Sequence, residues 1–240
     1  MDKFEISKII EDFAPLELAE DWDYTGWIVD CNSNEVDKIM LALTVNDDVV
    51  RQAHENNCNM IISHHPLFFV PIDYKDINIY CAHTNLDKTE GGTTDELIRV
   101  LDLKPTCHCE HRRSIRSEAI RPFIRYVELE KPVSIIEFGQ KLKSFSNNIR
   151  LVNNFGVETI QKIAFCAGSG SEFIQEVYEN GADTFVTGDI KFHTALESPV
   201  VIFDIGHFES EIPILKVLEN LLKDKVEVTT AIEHSPFQNI

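Results

Sequence analysis

The chain has 240 residues, 43% of them hydrophobic and 26% charged, which is ordinary globular usage and enough sequence to bury a sizeable core. Forty Asp and Glu against 22 Lys and Arg give a formal net charge of −18, which disfavours phosphate backbones and anionic lipid as partners and favours a cation site. No segment approaches the roughly 18 apolar residues of a membrane helix, and six cysteines scattered mostly through apolar runs fit a reducing, cytoplasmic setting rather than a disulfide framework.

The acidic start Met1-Asp2-Lys3-Phe4-Glu5 does not read as a signal peptide. Ile6, Ile9, Ile10 and Phe13 recur at helical spacing, which predicts an amphipathic helix over residues 4–13. Asp21-Trp22-Asp23-Tyr24-Thr25-Gly26 reads as a polar, aromatic turn. Val36 to Val45 is a strand, apolar throughout Ile39-Met40-Leu41-Ala42-Leu43 as expected when both sheet faces are covered. Asn46 or Asp47 caps the next helix, which carries Val49, Val50 and Ala53. A second buried strand, Met60-Ile61-Ile62, runs into Ser63-His64-His65-Pro66, and residues 67–77 read as a loop. A third strand from Ile77 to Ala82 ends in His83-Thr84-Asn85-Leu86-Asp87, and Gly91-Gly92 precedes a helix with Leu97, Ile98 and Leu101. The alternation of strands and helices predicts an α/β protein with a mostly parallel sheet.

From about 104 to 121 the pattern lapses, and a domain boundary or excursion is expected there. Cys107, His108, Cys109 and His111 lack a second half that would complete four zinc ligands. The basic cluster Arg112, Arg113, Arg116 and Arg121 suits either a subunit contact or a solvated loop. Phe123 to Leu129 resumes as a strand, Pro132-Val133-Ser134 starts a helix, and Ile149 to Val152 is another strand. Ile160 to Ala167 is a strand leading through Gly168-Ser169-Gly170-Ser171, read as a tight turn rather than a dinucleotide fingerprint, into a helix with Phe173, Ile174 and Val177. Strands then end at Asp189 and at His207, a helix carries Ile214, Leu215, Leu218, Leu221 and Leu222, and Val226 to Ile232 is a last strand.

Metal-ligand residue types thus stand at several strand ends: His64 and His65, Asp87, Asp189, and His207 with Glu211. Sites in open α/β sheets lie outside the carboxyl ends of the strands, so these groups are expected to share one cleft. Adjacent side chains in a strand point to opposite faces, and Pro66 holds His65 extended, so each imidazole of the pair can serve a different ion. Pro213 belongs in a first helical turn, which places Glu211 at the helix start and His207 in the preceding turn. Asp189 and His193, four apart, are expected on one face of a short helix. Three imidazoles normally bind one ion each while Asp87 and Glu211 can bridge, so the arithmetic gives two ions, with zinc, iron, manganese and cobalt all compatible.

Trp22-Asp23-x-x-Gly26, Ser63-His64-His65-Pro66-Leu67, Ala82-His83-Thr84-Asn85-Leu86-Asp87, Thr187-Gly188-Asp189-x-Lys191 and Gly206-His207-x-x-x-Glu211 occur in this order. Together they resemble the NGG-interacting-factor-like (Nif-three-like) dimetal family, often labelled GTP cyclohydrolase I type 2 homologues. The resemblance implies two α/β domains with largely parallel sheets and a dinuclear metal site in the cleft between them. The expected division is 1–108 with 209–240 as the first domain and 109–208 as the second. It implies His64, His65, Asp87, His207 and Glu211 as ligands, and a homohexamer built from dimers. Asp189, Lys191 and His193 become contacts around the ligands or to substrate. His83 and Trp22 either line the cleft or serve strand-end hydrogen bonding and packing. The chain departs from the family's usual Trp-Asp-Asn-x-Gly-Leu at Tyr24 and Trp27, and it has no room for the inserted domain of longer relatives.

The leading functional expectation is a divalent-metal-dependent hydrolase acting on a small molecule through a metal-activated water, with Glu211 as its catalytic residue. The family label points to GTP. The competing expectation is a non-catalytic metal-binding assembly or regulatory protein.

Overall fold

The computed structural model describes residues 1–105 and 123–237. The Cys107–His111 cluster and Arg112, Arg113, Arg116 and Arg121 fall outside the described residues. The strands in chain order are β1 Gly26–Val29, β2 Lys38–Ala42, β3 Met60–Ser63, β4 Asn78–Cys81, β5 Arg125–Ser134, β6 Arg150–Val152, β7 Thr159–Ser169, β8 Thr184–Gly188, β9 Val201–Asp204 and β10 Glu227–Thr230. The α-helices are α1 Lys3–Phe13, α2 Asp47–Glu55, α3 Thr84–Lys88, α4 Thr93–Val100, α5 Ile135–Lys143, α6 Ile174–Glu179, α7 Phe192–Glu197, α8 His207–Glu211 and α9 Ile214–Leu222. They form two compact units, Met1–Gly92 with Ile214–His234 and Thr93–Pro213 with Ser235–Ile240.

In the first unit the sheet order is β1-β4-β3-β2-β10, parallel except where β1 pairs antiparallel with β4. Alternate residues on β2, β3 and β4 serve the two faces. Met40, Ala42, Ile61 and Ile79 join Val49, Val50 and Ala53 of α2 in one core. That leaves Ile39, Leu41, Ile62 and Tyr80, all fully buried, for the other face, where α9 lies against β2 and β10 and α1 packs on α9. Ile214, Leu215, Leu218 and Leu222 of α9 are buried there, each worth about 1.5–3 kcal/mol. Asp2 caps α1 by accepting from the Phe4 amide at 2.8 Å, and Asn46 caps α2 by accepting from Val49 at 2.9 Å.

In the second unit the order is β5-β7-β8-β9-β6, with β7, β8 and β9 parallel and both flanking strands antiparallel. Phe165, Val186 and Phe203 pack with Leu97 and Ile98 of α4 and Phe138 and Leu142 of α5. Ala164, Phe185 and Ile202 pack with Ile174 and Val177 of α6. Both sheets therefore bury two faces, which is why their central strands are continuous apolar runs.

Four local expectations change. The strand expected to stop at Leu129 continues to Ser134, with the register slipping between Glu128 and Val133 so that Pro132 sits in an irregular stretch of an edge strand. The helix expected from Pro132 starts instead at Ile135, capped by Ser134, whose hydroxyl accepts from the Glu137 amide at 3.1 Å. Gly26 to Val29 is a strand, and Thr84 to Lys88 a helix, where the sequence predicts neither.

Candidate metal centre

In the first unit β3 ends at Ser63, and the chain stays beside β2 for two more residues. The His64 amide donates to the Ala42 carbonyl at 3.2 Å and the His65 amide to Leu43 at 2.8 Å. The two rings are tilted 43° apart with centroids 5.1 Å apart, so the adjacent imidazoles aim differently. His64 is fully buried, and its Nδ1 lies 3.0 Å from the Ala82 carbonyl. A carbonyl only accepts, so Nδ1 donates, and Nε2 is the ring nitrogen that lies 3.5 Å from Asp87 Oδ1. His65 Nδ1 is bonded to the Thr44 hydroxyl at 2.6 Å. Asp87 is brought to His64 by α3, which starts directly after β4; the amides of Leu86 and Asp87 both donate to the His83 carbonyl.

His83 itself donates from Nδ1 to Asp23 Oδ1 at 2.9 Å. The Asp23 carboxylate is buried and also accepts from the Tyr24 and Thr84 amides and from the Thr25 and Thr84 hydroxyls. Burial alone would raise its pKa, but the hydrogen bonds from His83, Thr25 and Thr84 outweigh it and hold the group well below the usual carboxylate range. The donor atoms of His64, His65 and His83 all lie within 4.8 Å of one another. Trp22 meets the His83 ring edge-on, with centroids 6.4 Å apart.

In the second unit His207 and Glu211 both belong to α8, one turn apart, which corrects the expectation of His207 in a preceding turn. Pro213 instead separates this short helix from α9. His207 Nδ1 donates to Asp189 Oδ2 at 2.7 Å, and Nε2 lies 3.0 Å from Glu211 Oε2. Asp189 does not share a helix face with His193. It follows β8 in a left-handed conformation, φ +57°, and α7 begins only at Phe192. His193 packs on Phe192, and Lys191 stands at the N-terminal cap of α7.

Glu211 is 4% exposed and sits against the tip of β7, where Gly168 has φ +67°. Its carboxylate occupies the space a Gly168 side chain would take, with Oε1 2.1 Å from the position of a Cβ. Ser210 fixes this approach, its hydroxyl accepting from the Gly168 amide at 2.9 Å and donating to the His207 carbonyl at 2.7 Å. Burial would lower the His207 pKa, but the Glu211 and Asp189 carboxylates raise it to about 9. The metal-free ring is thus a cation held between two carboxylates, a position chemically suited to a divalent ion in place of the proton.

Sequence reading overlooked Thr44, Asp23 and Ser210 as partners of His65, His83 and Gly168. Only Asp23 had a signal, its place in Trp22-Asp23-x-x-Gly26.

The fold and these side chains define an α/β protein of two mixed five-stranded sheets with imidazole and carboxylate clusters of the kind that bind divalent metals. The chain belongs to the Duf34/NIF3 (NGG1p interacting factor 3) family, whose profile matches residues 1–239. It is 34% identical over 241 residues, 91% of this chain and 88% of the relative, to a Clostridium acetobutylicum protein named GTP cyclohydrolase 1 type 2 homolog. It is 25% identical to NGG1-interacting factor 3 of Saccharomyces cerevisiae, covering 90% of this chain and 88% of that one. The crystal structure of a Staphylococcus aureus hypothetical protein matches with a TM-score of 0.84 at 26% identity, covering 100% of this chain and 99% of the other. No helix among the described residues is long and apolar enough to cross a membrane.

Proposed function

We propose that this protein is a divalent-metal-dependent hydrolase in which His64, His65, Asp87, His207 and Glu211 hold two ions, drawn from zinc, iron, manganese or cobalt. One observation carries the reading. Each of the three imidazoles has its Nδ1 bonded to an outer partner, the Ala82 carbonyl, the Thr44 hydroxyl or the Asp189 carboxylate, which leaves Nε2 as the ligand atom in a fixed ring orientation. When bound, such ions lower the pKa of a water and stabilise negative charge developing on oxygen.

The chain's own groups supply the rest. Asp189 sets the His207 tautomer, and Ser210 and Gly168 fix the Glu211 carboxylate. Glu211 is the proposed catalytic residue, accepting the proton that the attacking water gives up as its oxygen bonds to the substrate. The names of the bacterial relatives make GTP, with opening of its guanine ring by water, the first substrate to try. The metal-loaded protein would be incubated with GTP and with phosphoester and amide panels beside a Glu211→Ala control. Turnover above the control is expected, and its absence throughout would refute the enzymatic reading. We place the protein in the cytoplasm and expect a homohexamer built from dimers, which light scattering would test.

The yeast relative's name, NGG1-interacting factor 3, favours a second reading, a metal-binding assembly or regulatory protein without turnover. A ligand variant that loses metal yet keeps its partners and its cellular role would count against it.

A further inference from the structure

We propose that Glu233 is a positioning residue for the candidate metal centre: its carboxylate clamps the turn after β2, so that Thr44 holds the His65 ring with Nε2 presented to the ion. The inference rests on the reading of His65 as a ligand, and it adds a residue that lies outside every motif carrying the ligands.

The backbone at the end of β2 carries the argument. β2 and β10 pair as far as Leu41 and Thr230, and the Ala231 amide then donates to the Leu41 carbonyl at 2.8 Å. Beyond that point backbone amides still need acceptors. A side chain supplies them: the Glu233 carboxylate accepts from the Leu43 amide at 2.6 Å with Oε2 and from the Thr44 amide at 2.9 Å with Oε1. Such charge-assisted bonds are stronger than those between neutral groups. The same two residues hold His65. The Leu43 carbonyl accepts from the His65 amide at 2.8 Å, and the Thr44 hydroxyl is bonded to His65 Nδ1 at 2.6 Å. Glu233 therefore grips one side of a two-residue turn whose other side grips both the backbone and the ring of His65.

Glu233 is itself fixed in place. The residue before it, Ile232, is tied twice to Gln52 of α2: its amide donates to Gln52 Oε1 at 2.8 Å, and its carbonyl accepts from Nε2 at 3.0 Å. Burial raises the Glu233 pKa above the ordinary carboxylate value, and the bonds from Leu43 and Thr44 oppose that rise. Thr44 is exposed, so packing does little to place its hydroxyl. The Thr44 backbone places it, and that backbone is what Glu233 holds. Groups bonded to the outer nitrogen of a metal-bound imidazole set its orientation and affinity. Thr44 is such a group for His65, and Glu233 acts on the ring through it.

The test is a Zn²⁺ titration of the metal-free, full-length protein by calorimetry, comparing wild type with Glu233→Ala, Glu233→Gln, Thr44→Val and the double variant Glu233→Ala/Thr44→Val. Thr44→Val and Glu233→Ala should each weaken the same binding step, by about 10–100-fold. Glu233→Gln keeps one acceptor oxygen and should fall between Glu233→Ala and wild type; it carries the comparison if Glu233→Ala does not fold. The double variant should fall well short of the product of the single effects, because both residues act along one path. Ring-nitrogen NMR of the metal-free protein gives a second readout. Glu233→Ala should shift His65 toward the tautomer mixture of free imidazole, while His64, held by the Ala82 carbonyl, stays unchanged. A lowered melting temperature with wild-type Zn²⁺ affinity and an unchanged His65 ring would overturn this inference alone, as would single effects that simply multiply in the double variant. No ion bound by the wild type would overturn it together with the proposed function.

Discussion

Replacing Gly168 by alanine is expected to disable the proposed ligands of the second unit while leaving its sheet intact. Gly168 has φ +67°, and a Cβ there would stand 2.1 Å from Glu211 Oε1 and 3.5 Å from His207 Nε2. The first cost is conformational, about 1–2 kcal/mol for an L-residue held in the left-handed region. The second falls on Glu211, whose carboxylate must retreat by at least about 1.3 Å to reach ordinary van der Waals distance. The loop has little freedom to yield instead, since the Gly168 amide is bonded to Ser210 at 2.9 Å. Losing the charge-assisted bond between Glu211 and His207 costs about 1.5–3 kcal/mol, or roughly 10–100-fold in an equilibrium that needs this geometry. Calorimetric Zn²⁺ titration and a thermal melt of Gly168→Ala should therefore show a 10–100-fold loss of affinity at one step. The melting temperature should fall by about 2–4 °C per kcal/mol of strain. Wild-type affinity in a folded variant would refute the claim that this close approach sets the position of Glu211.

Four further outcomes are expected. His207, raised to about 9 by Glu211 and Asp189, is protonated at neutral pH without metal, so ion uptake should release a proton there. Calorimetry in buffers of different ionisation enthalpy measures this, and metal uptake without proton release at pH 7 would contradict it. Because that pKa is raised on folding, its contribution to metal-free stability is complete below about 6.5 and is lost as pH rises through about 9; His207→Gln should flatten the decline in melting temperature over this range. Asp23 has the opposite sign, its depressed pKa stabilising the fold above about 3.9 and ceasing to do so as pH falls through its folded value. The stability gap between wild type and Asp23→Asn should thus narrow in acid, and a constant gap from pH 6 to 3 would argue against it. Leu218 on α9 is fully buried, so Leu218→Ala should cost about 2–5 kcal/mol in urea unfolding, whereas a loss below 1 kcal/mol would show that α9 does not anchor the first sheet.

The elements legible in the sequence are those whose burial leaves a pattern. Ile39 to Ala42 and Met60 to Ile62 are apolar runs because helices cover both faces of their sheet, and α1, α2 and α9 carry apolar residues at helical spacing. Gly26-Trp27-Ile28-Val29 is only four residues, paired on one side and preceded by a polar turn, so no local period marks it. Thr84–Lys88 has no side-chain cap and is held by contact with the Leu16–Leu18 turn, a tertiary effect. The passage of β5 through Pro132 is decided by pairing with β7, which outweighs the local helix-start signal.

At the candidate centre, the ligand types at strand ends could be read because histidine pairs and a His-x-x-x-Glu spacing are uncommon enough to notice. Their supports could not. Thr44, Ser210 and Gly168 are common residues whose importance lies in contacts across 21, 42 and 43 residues of sequence, with His65, Gly168 and Glu211 respectively. Pro213 marks a helix boundary rather than a first turn, since α8 ends before it at Glu211 and α9 starts after it at Ile214, so His207 and Glu211 lie on one helix face.

The most direct test of the dinuclear reading is the metal content of protein purified without chelator, measured by elemental analysis beside Glu211→Ala. The account predicts two divalent ions per chain in the parent protein and a loss of bound metal in the variant. Fewer than one ion per chain in the parent protein would contradict it.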